Sequence, residues 1–192
     1  MNNENQIIFG QGANRWNARL ANYLEFCQLA RYYLESANAL IEITTKDTSK
    51  LDVYIYSAVF LYRHSIELLL KDLIWMSNYC LGRGKTFPKN HCLMDLWKIL
   101  KSNAISLLNS DFPMNKKQIN NVETILDKFT KYDPESDSFR YPFDKKMKKP
   151  HSDIHYINVK NLHEQLNQLH ENFDCLSYMI DYLYEEASYS NF

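Results

Sequence analysis

Glycine and proline are scarce in this sequence, which contains only four glycines and five prolines in 192 residues. Folds with many short strands need many turns, and these two residues are prominent among those that form turns. Their scarcity leaves long uninterrupted stretches and favours long helices. With 45% hydrophobic and 23% charged residues, the composition is that of a globular chain. We predict an all-α fold, a single domain over residues 1–192 whose first 13 residues form a flexible N-terminus.

A large net charge of one sign, long apolar runs and closely spaced cysteine pairs are also missing. Lys plus Arg number 22 against 23 for Asp plus Glu, so no net charge draws the chain to nucleic acid or to an anionic membrane. No stretch approaches the roughly 18 apolar residues of a membrane span, and the N-terminus lacks a signal-peptide pattern. The four cysteines form no Cys-x-x-Cys pair, so we expect reduced, mostly buried thiols. These absences predict a cytoplasmic protein that does not enter a membrane.

Several enzyme motifs are absent as well. There is no Gly-rich phosphate loop, no Walker motif and no nucleophile elbow, which disfavours nucleoside triphosphate hydrolysis and esterase chemistry. His91 and Cys92, with Cys80 upstream, fit no zinc module in their spacing. We therefore expect no metal and no other cofactor.

Apolar residues recur at helical spacing in five stretches separated by residues that end helices. The predicted helices span residues 14–43, 51–79, 93–107 and 119–129, and from 158 to about 183. Thr48 or Ser49 is the expected cap of the second helix and Asn158 that of the last. The second helix is apolar nearly all round from Val53 to Tyr62, so we expect its neighbours to surround it. The pattern predicts a bundle of about five helices with one long irregular loop, residues 133–157, before the last.

Charged side chains lie within the otherwise apolar second predicted helix, in the run Arg63-His64-Ser65-Ile66-Glu67. His64, Glu67 and Lys71 share one helix face, and Arg63 and Glu67 are four residues apart and can pair. Isolated buried charges cost several kcal/mol, so these groups need partners. One interpretation is a buried salt-bridge network that pins the helix to its neighbours. The other is a groove in which an Arg holds a phosphate and a His moves protons.

The irregular loop is the most basic part of the chain and contains a run of aromatic residues. Its cations are Arg140, Lys145, Lys146, Lys148, Lys149 and His151. Phe139, Tyr141 and Phe143 alternate with this charge, as in grooves where rings stack on the bases of single-stranded nucleic acid and cations contact phosphates. We predict that Tyr141 and the four lysines bind RNA. The alternative is that the aromatic residues anchor the loop to the bundle while the lysines are merely solvated.

Three further histidines carry weaker indications. His91 precedes the third helix, where packing against Trp97 or capping the helix is favoured over catalysis. His163 and His170 are one heptad apart on the last helix, a spacing that we interpret as flanking a solvated face.

Three short segments together resemble the HEPN superfamily, small helical bundles of prokaryotic toxin–antitoxin and phage-defence systems. The residues that carry the resemblance are the run Tyr62 to Leu68 with Lys71, then His91 and Leu93, and the run Phe139 to Pro142 before Asn158. The resemblance implies a bundle that dimerises. In many members it also implies a metal-independent ribonuclease, in which an Arg and a His on one helix help the RNA's own 2′-hydroxyl attack the adjacent phosphate.

The resemblance assigns roles to the polar residues of the central helix. His64 would be the general acid or base, Glu67 would orient it, and Arg63 or Arg140 would stabilise phosphate charge. In the family the Arg precedes the His by several residues, whereas here Arg63 and His64 are adjacent and point about 100° apart. Arg140 is therefore the group expected to arrive from elsewhere.

The expected partners are a second copy of the chain, RNA, and an antitoxin or other defence-system protein. Two other functions remain open: a catalytically silent interaction module that binds a partner protein or itself, and a bundle that binds a small ligand or nucleotide.

Overall fold

The computed structural model describes residues 25–143, 147, 149 and 154–189, and all secondary structure in these residues is helical. The five helices are α1 (Phe26–Lys46), α2 (Leu51–Cys80), α3 (Leu93–Leu108), α4 (Lys116–Tyr132) and α5 (Val159–Tyr189). Short 3-10 turns, Thr48–Lys50 and Asn109–Asp111, precede α2 and follow α3. The predicted all-α bundle of five helices is confirmed, with the long irregular segment between α4 and α5.

The central helix is α2, which packs against α1, α3 and α5. Half of its 30 residues are buried, from Ala58 to Ser77, more than in any other described helix. Its first two turns differ, because Val53 is 64% and Tyr56 58% exposed. The expectation that neighbours surround α2 from Val53 onward is wrong for this end, where Ile55 packs against the core while Val53 and Tyr56 are exposed.

One aromatic contact joins three of the helices. Trp97 of α3 is fully buried and meets Phe173 of α5 edge to face, with 5.6 Å between the ring centroids. The Trp97 indole N–H donates to the Glu123 carboxylate of α4 at 3.2 Å. Burying a large apolar side chain stabilises a fold by roughly 1.5–3 kcal/mol. This contact therefore fixes α3 against both α4 and α5.

The helix ends depart slightly from the prediction. Asp47 makes the capping bond to the Ser49 N–H, at 3.0 Å, and α2 starts one 3-10 turn later, so the predicted cap at Thr48 or Ser49 is wrong. The cap at Asn158 is confirmed, because its side-chain oxygen accepts from the Asn161 N–H at 3.0 Å. Described α1 begins at Phe26 and continues to Lys46; residues 14–24 of the predicted first helix, like the predicted flexible residues 1–13, lie outside the described part.

The cysteines do not lie in the core. Cys27 and Cys175 are exposed, Cys80 and Cys92 are partly exposed, and all four are free thiols. The expectation of mostly buried thiols is therefore wrong.

Candidate functional site

Arg63 lies at the centre of a buried charge network on α2. Its Nη1 donates to Glu67 Oε2 at 2.9 Å, and its Nη2 donates to the main-chain oxygen of His91 at 2.6 Å. Its Nε lies 3.2 Å from the main-chain oxygen of Asp133 and 3.1 Å from Asp133 Oδ2. The Arg63, Glu67 and Asp133 side chains are at most 3% exposed. Every nitrogen of the guanidinium group therefore has a partner within the protein.

This network ties α2 to the loop before α3 and to the segment after α4. Lys71 joins it through Glu67, because Lys71 Nζ donates to Glu67 Oε1 at 2.8 Å. The prediction that Arg63, Glu67 and Lys71 are each paired in a buried network is confirmed. In this arrangement Arg63 serves the fold and does not face an open groove.

His91 is the one member of the network that reaches the surface. Its Nδ1 lies 2.7 Å from Glu67 Oε1, and its side chain is 53% exposed. Burial by itself raises the pKa of Glu67, but hydrogen bonds from Lys71, His91 and Arg63 outweigh it and hold that pKa below its ordinary value. Glu67 is thus an ionised carboxylate that fixes the imidazole of His91 and leaves Nε2 for another group. Sequence analysis missed this pair and assigned Glu67 to His64.

Capping of α3, one of the two structural roles expected for His91, is not what the structure shows. The residue before α3 is Cys92, and no side-chain bond caps that helix. The only sequence indication of a site at His91 is its place among the residues that carry the family resemblance.

His64 lies one helical turn before Glu67 on α2, between two aromatic rings. It meets Tyr33 of α1 edge to face, with 4.7 Å between centroids, and stacks on Phe60 at 5.7 Å. Burial lowers the pKa of His64, and nearby cations, Arg140 among them, lower it further against the opposing effect of Glu67. A histidine with a lowered pKa is neutral at pH 7 and can accept a proton.

Arg140 approaches the same aromatic ring from the irregular segment. Its Cζ lies 5.4 Å from the centroid of Phe60 and 5.4 Å from that of Tyr141. His64 and Arg140 therefore both contact Phe60. That the two residues line one cleft stays a prediction, because the pocket that Arg140 lines does not include His64.

A surface pocket of about 430 Å³ lies beside Arg140. Its lining consists of Tyr56, Ser138, Phe139, Arg140, Tyr141, Pro142 and Lys149. The structure thus places Tyr141 and Lys149, two of the predicted RNA-binding residues, around one opening. Lys145, Lys146 and Lys148, the other three, lie outside the described residues.

The aromatic residues of the segment divide between the two roles considered for them. Phe139 is partly buried against the core and lies 6.3 Å from the ring of Tyr56. Tyr141 and Phe143 are 57% and 42% exposed. One ring anchors the segment, and two remain open to a ligand.

The residues of α2 near these groups form a single row. Its members are Tyr56, Phe60, His64, Glu67 and Lys71, three or four positions apart. Such spacing keeps side chains on one side of a helix, and the 15 steps from the first residue to the last span ~22 Å at 1.5 Å per residue. We call this the α2 row. It leads from the pocket at Tyr56 to His91 at Glu67.

The two histidines of α5 face the bundle instead of solvent. His163 Nδ1 lies 2.7 Å from the hydroxyl of buried Tyr62, and His170 Nε2 lies 3.3 Å from the hydroxyl of buried Ser65. Burial lowers the pKa of His170 to about 4. The expectation that they flank a solvated face is wrong, because α5 packs this side against α2.

Within residues 25–143, 147, 149 and 154–189, no three His, Cys, Asp or Glu side chains are grouped so that they could hold a metal ion. None of the helices described above is long and apolar enough to cross a membrane. No protein-family model, no curated protein and no solved structure matches this chain.

Proposed function

We propose that this protein is an RNA-acting bundle that cleaves single-stranded RNA without a metal ion, the activity implied by the HEPN resemblance. The observation that supports this best is the Glu67–His91 pair, in which a buried carboxylate holds Nδ1 of a surface imidazole at 2.7 Å. Such a bond fixes the orientation of the ring and leaves Nε2 to exchange a proton with a substrate. The pair lies at the end of the α2 row, one helical turn from His64.

The two histidines have complementary roles in the proposed reaction. Neutral His64 accepts the proton of a ribose 2′-hydroxyl, whose oxygen attacks the adjacent phosphorus and forms a 2′,3′-cyclic phosphate. Protonated His91 gives a proton to the departing 5′-oxygen of the next nucleotide, so one proton is taken and one is returned. Arg140 stabilises the charge that develops on the phosphate. Arg63, committed to the buried network, supports this site by holding Glu67 in place.

The pocket beside Arg140 supplies the binding surface for the RNA strand. Tyr56 and Tyr141 offer exposed rings on which bases can stack, and Lys149 and Arg140 offer charges for phosphates. Because most of this attraction is to phosphate, binding should weaken as salt concentration rises. Lys145, Lys146 and Lys148 are the other lysines predicted to bind RNA and lie outside the described residues.

The test is cleavage of labelled single-stranded RNA in the presence of a chelator. General acid–base catalysis contributes about 10²–10⁴-fold, so His64→Ala and His91→Ala should each reduce the rate by that order. His155→Ala is the matched control, since His155 is an exposed histidine of the segment before α5. Circular dichroism checks that all variants fold. Absence of cleavage by the unaltered protein, or equal rates for His91→Ala and His155→Ala, contradicts the proposal.

A second candidate function is self-association or binding of a partner protein, such as an antitoxin, without catalysis. It is favoured by the exposed tyrosines of α5, since Tyr178 is 73%, Tyr182 53% and Tyr189 80% exposed. Large exposed rings are enriched where proteins bind one another. Light scattering should give twice the 22.8 kDa chain mass, and Tyr178→Glu with Tyr182→Glu should halve it. A monomer at high micromolar concentration removes the support for a homodimer.

A further inference from the structure

Three aromatic rings surround the ammonium group of Lys85, near the end of α2. Trp75 and Tyr79 are one helical turn apart on α2, and Tyr184 faces them from α5. Lys85 Nζ lies 5.1 Å from the centroid of Trp75, 5.0 Å from that of Tyr79 and 5.4 Å from that of Tyr184. All three distances are within the roughly 6 Å over which a ring attracts a cation. We call the three rings the aromatic box.

The box is a connected unit and does not consist of three separate contacts. The Tyr184 ring centroid lies 5.3 Å from that of Trp75 and 5.2 Å from that of Tyr79. These are normal distances for packed aromatic pairs. The three rings therefore hold one another in place whether or not a cation lies between them.

The loop that carries Lys85 is fixed by contacts on both sides of this residue. Before it, Arg83 Nη1 donates to the side-chain oxygen of Asn103 at 2.7 Å. After it, the main-chain oxygen of Thr86 accepts from the Asn78 side chain at 2.8 Å. The Lys85 side chain is thus not required to close the loop, and its removal should leave the box intact.

The box differs from an ordinary lysine site in its chemistry. Among the ion pairs of the described residues, none includes Lys85, and its ammonium group lies among the three ring faces. The proximity of Tyr184 raises the pKa of Lys85. A primary ammonium is strongly hydrated and gains most from an anionic partner. A site made of ring faces is the kind that recognises quaternary and methylated ammonium groups, which lose less hydration on entry.

We propose that Trp75, Tyr79 and Tyr184 form a binding site for a quaternary or methylated ammonium group, and that Lys85 occupies this site as an internal competitor. A tethered group competes at an effective concentration on the order of millimolar. An external cation must therefore displace Lys85. Its apparent dissociation constant is the intrinsic one divided by the fraction of molecules in which the box is empty. This site is separate from the α2 row and does not depend on the RNA proposal.

The experiment measures choline binding by saturation-transfer NMR. Lys85→Ala should bind choline at least about tenfold more tightly than the unaltered protein, because the competitor is gone. Lys89→Ala removes another exposed lysine of the same loop and should bind as the unaltered protein does. The double variant Lys85→Ala with Trp75→Leu should lose the gain. The uncharged isostere 3,3-dimethyl-1-butanol should bind much more weakly than choline to Lys85→Ala.

Two results would overturn the proposal. One is a Lys85→Ala variant that melts at the same temperature as the unaltered protein and does not bind choline. The other is equal binding of choline and its uncharged isostere, which would show that the box is an apolar surface and not a cation site. If the alanine variant unfolds, Lys85→Gln replaces it, and a folded glutamine variant that fails to bind choline overturns the proposal equally.

Discussion

Replacing Arg63 with methionine tests the buried charge network most severely. Methionine is similar in length and apolar, so it fills much of the same space but makes none of the polar contacts. The Asp133 carboxylate would keep its bond from the Ser138 N–H, at 2.9 Å, but lose the one ion pair that it makes with described residues. Glu67 would keep Lys71 and His91, and the main-chain oxygen of His91 would lose a 2.6 Å bond.

Removing one partner from a buried ion pair typically costs about 3–5 kcal/mol, because the remaining charge stays buried and uncompensated. Arg63 and its two carboxylate partners are at most 3% exposed, so solvent cannot replace the lost contacts. For a domain of this size, each kcal/mol lowers the melting temperature by about 2–4 °C. The expected decrease for Arg63→Met is therefore roughly 6–20 °C.

The assay is urea and thermal unfolding followed by circular dichroism, with Lys46→Met as the matched control. Lys46 pairs with Glu42 at the same four-residue spacing and at 2.6 Å, but the two side chains are 73% and 65% exposed. Exposed pairs contribute little, so the control should unfold as the unaltered protein does. If Arg63→Met is as stable as Lys46→Met, the network does not hold the fold together.

Three further predictions concern stability. Trp97→Ala should lower the free energy of unfolding by about 3–5 kcal/mol in urea denaturation, since it leaves a large cavity where α3, α4 and α5 meet; an effect below that of an exposed-site substitution such as Lys98→Ala contradicts the core assignment. Because burial lowers the pKa of His170 to about 4, this imidazole binds a proton in the unfolded chain as pH falls below about 6.5, before it does so in the folded protein. Stability should therefore fall between about pH 6.5 and 4, and urea midpoints at pH 7 and 5 should show a smaller fall in His170→Gln; an equal fall in both refutes the assignment. Deleting residues 145–149 should leave the melting temperature nearly unchanged, and unfolding of that variant would show that the loop supports the bundle.

The helices could be predicted from the sequence because their determinants are local. Apolar residues three and four positions apart define each buried stripe, and Phe112-Pro113 and Asp133-Pro134 end helices where the structure ends them, within a few residues. The Thr48/Ser49 cap was misplaced by one or two residues, because Asp47 is an equally good capping residue and the sequence does not choose between neighbours. The exposure of Val53 was missed because hydrophobicity does not reveal where neighbouring helices stop.

The candidate site was predicted less completely, because its contacts join distant parts of the chain. Charges in an apolar helix indicated that Arg63 and Glu67 need partners, and their mutual pairing followed from the four-residue spacing. The partners His91 and Asp133 are 24 and 70 residues away from the side chains they contact. Whether Glu67 bonds to His64 or to His91 depends on how the loop before α3 folds, and no local pattern encodes that.

The proposed cleavage, in which the 2′-hydroxyl of the RNA attacks the adjacent phosphorus, is tested most directly by its products. A DNA oligonucleotide with a single ribonucleotide is incubated with the unaltered protein and a chelator, and the products are weighed by mass spectrometry. We expect cleavage at the ribonucleotide alone, with a 2′,3′-cyclic phosphate on the upstream fragment and a free 5′-hydroxyl on the downstream one. An intact oligonucleotide, or fragments that carry a 5′-phosphate, would contradict it.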